Sequence, residues 1–330
     1  MQSRTVDLEG PVHFVDFGGP GDQGHRSPKG QSPAVIGGEN RPCPVILCIH
    51  GLGGSYVNWV AVGPALARRA RVLAIDLPGF GRTPLSGRRT GVRANRGLLD
   101  RFIAEVIGEP PILMGNSMGG TIAILEAACE PARVAGLILV CPSVPKPFGL
   151  SVDREVAKYI AAYAIPGMSQ RVLRRRRQRL GPEGMLLHSL SVACVDPGRI
   201  PRKALSLMVD FAYERSRMPW ADVAYLEAAR SLVALHTRGK RHFMQMVQHV
   251  EAPTLFMQGA ADRLAMLDAA EQVARSRPDW AFAVLDDVGH LPMLEDPRQL
   301  VTTIDTWLGA PARAASSPAR SSPMRTHDVA

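Results

Sequence analysis

A serine hydroxyl is a poor nucleophile until an imidazole takes its proton and a carboxylate fixes the tautomer that the imidazole presents. The sequence holds all three groups in settings where they could meet. Ser117 is the centre of Gly115-Asn116-Ser117-Met118-Gly119, which follows an apolar stretch, Pro111 to Met114, and opens a helical pattern, Gly120 to Cys129, ended by Pro131. A serine at such a strand-to-helix turn stands on strained backbone with its hydroxyl above the sheet, and glycines two residues to either side let strand and helix approach. Asp262 follows a predicted strand, Thr254 to Gln258, and His290, in Gly289-His290-Leu291-Pro292, follows another, Phe282 to Leu285. Both fall beyond strand C-terminal ends, where open α/β sheets place their sites. The set predicts nucleophilic acyl transfer, with Ser117 as nucleophile, His290 as general base and Asp262 as the acid that orients the histidine.

That chemistry also needs donors for the oxyanion. The turn places the Met118 N–H at a helix N-terminus, where donors lack intrahelical partners and the dipole favours negative charge. His50-Gly51-Leu52-Gly53-Gly54 follows another buried strand and offers the Leu52 N–H as the second donor, free of bulky side chains. His50 itself reads as a structural hydrogen-bonding residue. Asp286 and Asp287 lie close to His290 in the chain but leave their strand towards a loop and are expected to face solvent. His188, His236, His242 and His249 have no strand-end setting and read as surface or core histidines.

Positioning these groups requires a parallel sheet flanked by helices, and the chain has that rhythm. Strands are predicted over Val12 to Phe17, Val45 to His50, Val72 to Asp76, Ile112 to Met114, Val134 to Cys141, Thr254 to Gln258 and Phe282 to Leu285. Gly18 to Pro42, rich in Gly and Pro, is predicted to be a long mobile surface loop. Strand rhythm stops at Cys141. Pro142 to Val250 reads as helices broken at Pro166-Gly167, Gly181-Pro182, Pro197-Gly198, Pro219 and Gly239. Pro297 to Leu308 then closes the core with Leu300, Ile304, Trp307 and Leu308 on one face. The expected organisation is therefore a core of residues 1–141 and 251–308, a helical lid over 142–250, and a disordered tail over 309–330, whose Ala, Ser, Pro and Arg composition buries no apolar surface.

Composition narrows the partners. In 330 residues, 46% hydrophobic and 21% charged, no apolar run approaches the roughly 18 residues of a membrane span. Met1 to Gly10 has neither the apolar core nor the cleavage site of a signal peptide, so a cytoplasmic protein is expected. Five widely spaced cysteines outline neither a disulfide framework nor a metal cluster and read as small buried hydrophobes. The net charge of +9 invites an anionic partner. Six arginines fall between Arg171 and Arg179, but Arg174-Arg175-Arg176-Arg177 points in every direction around a helix, so a solvated, mobile face is expected. The only anionic contact left open is a weak one with an anionic membrane surface; nucleic-acid signatures are missing. No sequence feature sets an oligomeric state, and the acyl-transfer chemistry calls on no metal or organic cofactor.

Taken together, His50-Gly51-Leu52-Gly53-Gly54, Asp76-Leu77-Pro78-Gly79-Phe80-Gly81-Arg82-Thr83, the turn around Ser117, Gly259 with Asp262, and Gly289-His290 resemble the α/β-hydrolase fold family over about residues 8 to 308. The resemblance implies a mostly parallel eight-stranded sheet with a helical lid inserted after the sixth strand. It implies a structural role for the Asp76 loop, in which Thr83 stands where many relatives have serine. No acid stands at the end of Val134 to Cys141, where some relatives carry theirs. Serine at 117 separates the chain from haloalkane dehalogenases and epoxide hydrolases, whose pattern has aspartate there. Gly-Asn-Ser-Met-Gly-Gly is similar to the turn of carbon–carbon bond hydrolases and equally suits esterases. The activity implied first is carboxylic ester hydrolysis on a small-molecule ester or acyl substrate. The alternatives are cleavage of a ring-cleavage diketone, thioester hydrolysis, and a low-turnover receptor that retains the triad.

Overall fold

The computed structural model describes residues 1–20, 43–146 and 168–309. The expected loop beyond Pro20, the tail after Gly309 and part of the inserted block lie outside them. Eight strands form one sheet: β1 (Gln2–Asp7), β2 (Pro11–Gly18), β3 (Val45–Ile49), β4 (Arg71–Ile75), β5 (Ile112–Asn116), β6 (Gly136–Val140), β7 (Thr254–Gly259) and β8 (Ala281–Leu285). Their order is β1-β2-β4-β3-β5-β6-β7-β8. β2 runs antiparallel to both β1 and β4, and every later pairing is parallel. The central strands β3, β5, β6 and β7 are buried at every position, as expected of a parallel sheet covered on both faces.

Alternation along each strand divides the core in two. Leu47, Ile49, Leu113, Leu137, Leu139 and Phe256 face one layer; Ile46, Cys48, Met114, Ile138, Val140 and Met257 face the other, because successive side chains point to opposite sides. The first layer is covered by α1 (Val92–Phe102) and α2 (Met118–Cys129). The expected closing helix is present over Pro297–Gly309, with Leu300 and Ile304 fully buried in the second layer and Trp307 and Leu308 partly so.

Between β6 and β7 stand α3 (Met168–Ala193), α4 (Arg202–Ser216), α5 (Ala221–Thr237) and α6 (Lys240–His249). α3 is interrupted at Gly181, whose φ of 66° and ψ of 176° leave the helical region just before Pro182, as both residue types would require. Phe243 and Val247 of α6 join the same apolar layer as Ile122 of α2, so this last inserted helix packs with the core. The arginine run does not point uniformly to water. Arg171, Arg174, Arg175 and Arg179 are exposed, while Arg176 and Arg177 are half-buried and Arg177 hydrogen-bonds Asp222 of α5. At 100° per residue the four exposed arginines fall within one arc of the helix, a one-sided stripe where the sequence alone predicted none. The cysteines also divide. Cys48, Cys141 and Cys194 are buried, but Cys129 is exposed. Among the described residues no helix is long and apolar enough to cross a membrane.

Glu126 of α2 is fully buried 3.3 Å from Arg96 of α1. Burial, against the pull of Arg96, pushes its carboxyl up to about 8. An unfolded glutamate titrates near 4.5, so between these values the folded chain holds a proton that the unfolded chain has lost, and stability falls as pH rises. Urea unfolding between pH 5 and 8 is expected to show this decline, at up to ~1.4 kcal/mol per pH unit, and Glu126→Gln is expected to flatten it. Equal slopes in the two proteins would place the pH dependence elsewhere.

Candidate active site

Ser117 lies between β5 and α2 with φ 54° and ψ −119°, a strained conformation for a residue with a side chain. The turn is possible because a Cβ at Gly115 would lie 2.5 Å from the Gly119 carbonyl carbon, and one at Gly119 only 2.1 Å from Ile49 O. Met118 is the first residue of α2, so its N–H is among those without an intrahelical acceptor. The His50 loop meets the same turn, since a Cβ at Gly51 would come within 3.0 Å of Ser117 Cβ.

His50 does not act as a base. It is fully buried, its Nδ1–H donates to Gly51 O at 2.7 Å, and its Nε2 accepts from Leu77 N–H at 3.1 Å. Burial pulls its pKa below the ordinary histidine value, so the ring is neutral with both nitrogens in use. Holding the Gly51 carbonyl has a second effect, because in a trans peptide the N–H of the next residue points the opposite way. His50 thus aims the Leu52 N–H away from itself. His50→Ala is expected to lower kcat about 10²-fold, the loss typical of one oxyanion donor, with KM changed no more than a few-fold. An unchanged kcat in the folded variant would separate His50 from the donor's placement.

Asp262 and His290 are brought together. His290 Nδ1 lies 2.7 Å from Asp262 Oδ2, and both residues are buried. A carboxylate only accepts, so Nδ1 carries the proton and Nε2 presents its lone pair. The buried carboxylate is compensated by further donors: Leu264 N at 2.8 Å and Ala265 N at 2.9 Å reach Oδ1, and Gln258 Nε2 at 3.0 Å reaches Oδ2. Asp286 and Asp287 are both exposed, and Asp287 pairs with Arg199 at 2.7 Å. Of the remaining histidines, His188, His242 and His249 are exposed. His236 is packed against Phe243, 3.4 Å from Ser143 Oγ, and its pKa is pulled down to about 4 by burial.

The structure makes no hydrogen bond between Ser117 Oγ and His290. It joins their backbones instead. Asn116 Nδ2 donates to His290 O at 3.1 Å and to Val140 O at 3.0 Å, so the residue before the serine grips the loop of the histidine. On the other side, His290 N donates to Ala193 O at 2.6 Å. Glu295, itself buried, accepts Gly289 N at 2.9 Å and Asp196 N at 2.8 Å on its two carboxylate oxygens. Neither Asn116 nor Glu295 carried a sequence signal beyond its nearness to Ser117 and His290.

Cys141 is also at this site. It directly follows β6 in a left-handed conformation, φ 46°, and its sulfur accepts Gly259 N at 3.3 Å. Sulfur, carboxylate and imidazole atoms of Cys141, Asp262 and His290 lie within 4.8 Å of one another. Burial, then the Asp262 charge, hold the thiol well above its ordinary pKa.

Residues 46–303 match the alpha/beta hydrolase family, and the chain belongs to that family and is a hydrolase. It is 29% identical over 276 residues to the dihydrolipoyllysine-residue acetyltransferase component of the acetoin cleaving system of Pseudomonas putida, across 80% of this chain but only 63% of that protein. It is 27% identical over 267 residues to the pimeloyl-[acyl-carrier protein] methyl ester esterase of Aeromonas hydrophila, across 81% of this chain and 96% of the relative. A variant of a haloalkane dehalogenase from Agrobacterium tumefaciens superposes with a TM-score of 0.73 over 93% of this chain and 96% of its own, at 16% identity. A likeness at that identity carries the fold alone.

Proposed function

We propose that the chain hydrolyses a carboxylic ester through an acyl-enzyme on Ser117. His290 Nε2 takes the Ser117 proton as Oγ attacks the carbonyl carbon, and the N–H groups of Leu52 and Met118 receive the charge that develops on oxygen. His290 then protonates the departing alcohol, and a water activated by the same nitrogen releases the acid. Asp262 holds the imidazole in the tautomer that makes each transfer workable. The observation that carries this reading is the buried His290–Asp262 contact of 2.7 Å, whose free Nε2 belongs to a loop tied by Asn116 to the strained serine turn. The similarity to a methyl ester esterase over nearly its whole length supports an ester as substrate.

The inserted helices are assigned the control of access, in keeping with a block that contributes no member of the triad. Several of its apolar side chains serve to dock it: Leu190 and Phe211 are buried in the same apolar layer as Tyr56 and Trp59 of the core, whereas Leu187 and Tyr213 remain exposed.

The test is a burst experiment with p-nitrophenyl esters of graded chain length, run beside a ring-cleavage diketone. A stoichiometric burst followed by steady turnover on esters is expected. Turnover of the diketone alone would move the chain to carbon–carbon hydrolysis, and a burst without turnover would make it a receptor. Replacing Arg171, Arg174, Arg175 and Arg179 by glutamine is expected to leave the small-ester rate unchanged and to weaken only recruitment to anionic vesicles. Loss of the small-ester rate in the folded variant would put the stripe in the active site.

A further inference from the structure

At the far edge of the sheet a second serine, histidine and aspartate are linked in the same order. Ser3 Oγ lies 2.6 Å from His13 Nε2, and His13 Nδ1 lies 2.7 Å from Asp76 Oδ2. Ser3 is exposed on β1, His13 is buried on β2, and Asp76 is fully buried just past the end of β4. β1 stands four strand positions from β5 in the sheet, roughly 19 Å at the usual strand spacing, so this set is separate from the Ser117 turn.

The two acid–imidazole pairs are built alike. Each has its Nδ1–Oδ2 contact at 2.7 Å. Asp76 is held by Tyr56 N at 2.7 Å on Oδ1 and Arg82 N at 2.8 Å on Oδ2, as Asp262 is held by Leu264 N and Ala265 N. His13 is further fixed through its backbone N–H, which donates to Thr83 Oγ1 at 2.8 Å. In the neutral ring Nδ1–H is committed to the carboxylate, so Nε2 accepts, and the Ser3 hydroxyl must donate to it. This hydroxyl already makes the serine–imidazole contact that the Ser117 hydroxyl lacks.

What Ser3 lacks is the rest of the machinery. It sits inside a regular strand, not at a strand-to-helix turn or a helix N-terminus, so no preorganised donors wait for an oxyanion. We propose that Ser3 is a second nucleophile that accepts an acyl group from small activated esters and keeps it. With p-nitrophenyl acetate, Ser3 Oγ bonds to the acetyl carbon while its proton passes to His13 Nε2. The ester C–O bond breaks, the leaving oxygen takes that proton as p-nitrophenol, and acetyl-Ser3 remains. Without oxyanion donors, attack by water on the acetyl ester is slow, and the modification accumulates to one equivalent.

The experiment uses the full chain carrying Ser117→Ala, so that acylation at the site serine cannot mask the slower reaction. The protein is incubated with p-nitrophenyl acetate, and acetylation is followed by intact mass and by fragmentation of the N-terminal peptide, which separates Ser3 from the Met1 amine. Ser189 is the internal comparison, an exposed serine whose hydroxyl donates to Met185 O at 2.9 Å. Ser3 is expected to acetylate at least about 10-fold faster than Ser189, and His13→Gln in the same background is expected to remove the advantage. Equal rates at Ser3 and Ser189, or an advantage that survives in a folded His13→Gln protein, would leave the chain of contacts as a tie between β1 and the sheet. If His13→Gln does not fold, the comparison of Ser3 with Ser189 decides alone.

Discussion

Ser117→Ala is expected to abolish ester turnover and rapid labelling by a fluorophosphonate while leaving the far-UV spectrum and the unfolding midpoint near those of the parent. The fold should tolerate the change because alanine keeps the Cβ and removes only the hydroxyl, which takes no part in capping α2. The strained backbone is held by its surroundings: Ser117 N donates to Val140 O at 3.2 Å, and Ser117 O accepts from Ser143 N at 3.0 Å and Thr121 N at 3.1 Å. His290→Ala should be about as inactive, since the members of such a set act as a unit and their losses do not add. Slow stoichiometric acylation at another serine is compatible with this outcome, but multiple turnover is not. Turnover or rapid labelling that persisted in Ser117→Ala would assign the nucleophile elsewhere.

Asp262→Asn is expected to lower kcat by about 10⁴-fold, the size seen when a triad imidazole is held in the wrong tautomer. The hydrogen bonds around the carboxylate explain why the asparagine would settle that way. Leu264 N, Ala265 N and Gln258 Nε2 are all donors, so the single amide oxygen of asparagine turns towards the two backbone N–H groups. Its NH2 then faces His290 Nδ1 and donates to it. The ring proton moves to Nε2, and the lone pair that should receive the Ser117 proton is gone. The pH–rate profile of kcat/KM and the slope of a leaving-group series would show the missing base in whatever activity remains. A near-parental Asp262→Asn together with an inactive Asp286→Asn or Asp287→Asn would reassign the acid, against the exposure of both to solvent.

The residues proposed for the chemistry could be picked out because they follow strand ends that composition marks on its own. β5 and β7 are short apolar runs closed by glycine-containing turns, and such runs are readable without knowledge of their neighbours. β1 was not legible. Gln-Ser-Arg-Thr-Val-Asp is exposed at five of its six positions, and an edge strand paired on one side only needs no apolar face to declare it. The same limit hid Ser3, whose partners His13 and Asp76 lie 10 and 63 residues apart from their neighbours in the chain of contacts, and meet only once β1, β2 and β4 are paired. Glu295 was hidden for another reason. A carboxylate six residues past Gly289 reads as a helix-start charge, and its second donor, Asp196 N, comes from a segment about a hundred residues away. In the arginine run the helical spacing was legible, but the partner that divides it, Asp222, is on another helix.

The hydrogen bonds that join Ala193 and Asp196 to the His290 loop set where this protein can be cut and recombined. His290 N reaches Ala193 O, Glu295 reaches Asp196 N, and Arg199 reaches both the carbonyl and the carboxylate of Asp287. Gly289 leaves no room for error, since a Cβ there would lie 2.4 Å from Ala193 O. A chimera that imports the inserted helices of a relative across a junction near residue 200 therefore inherits a backbone cast for a different histidine loop. Libraries that shuffle substrate preference should treat residues 193–199 and 287–295 as one cassette, exchanged together or left together, with crossovers placed at the Pro219 and Gly239 breaks where the chain already changes direction.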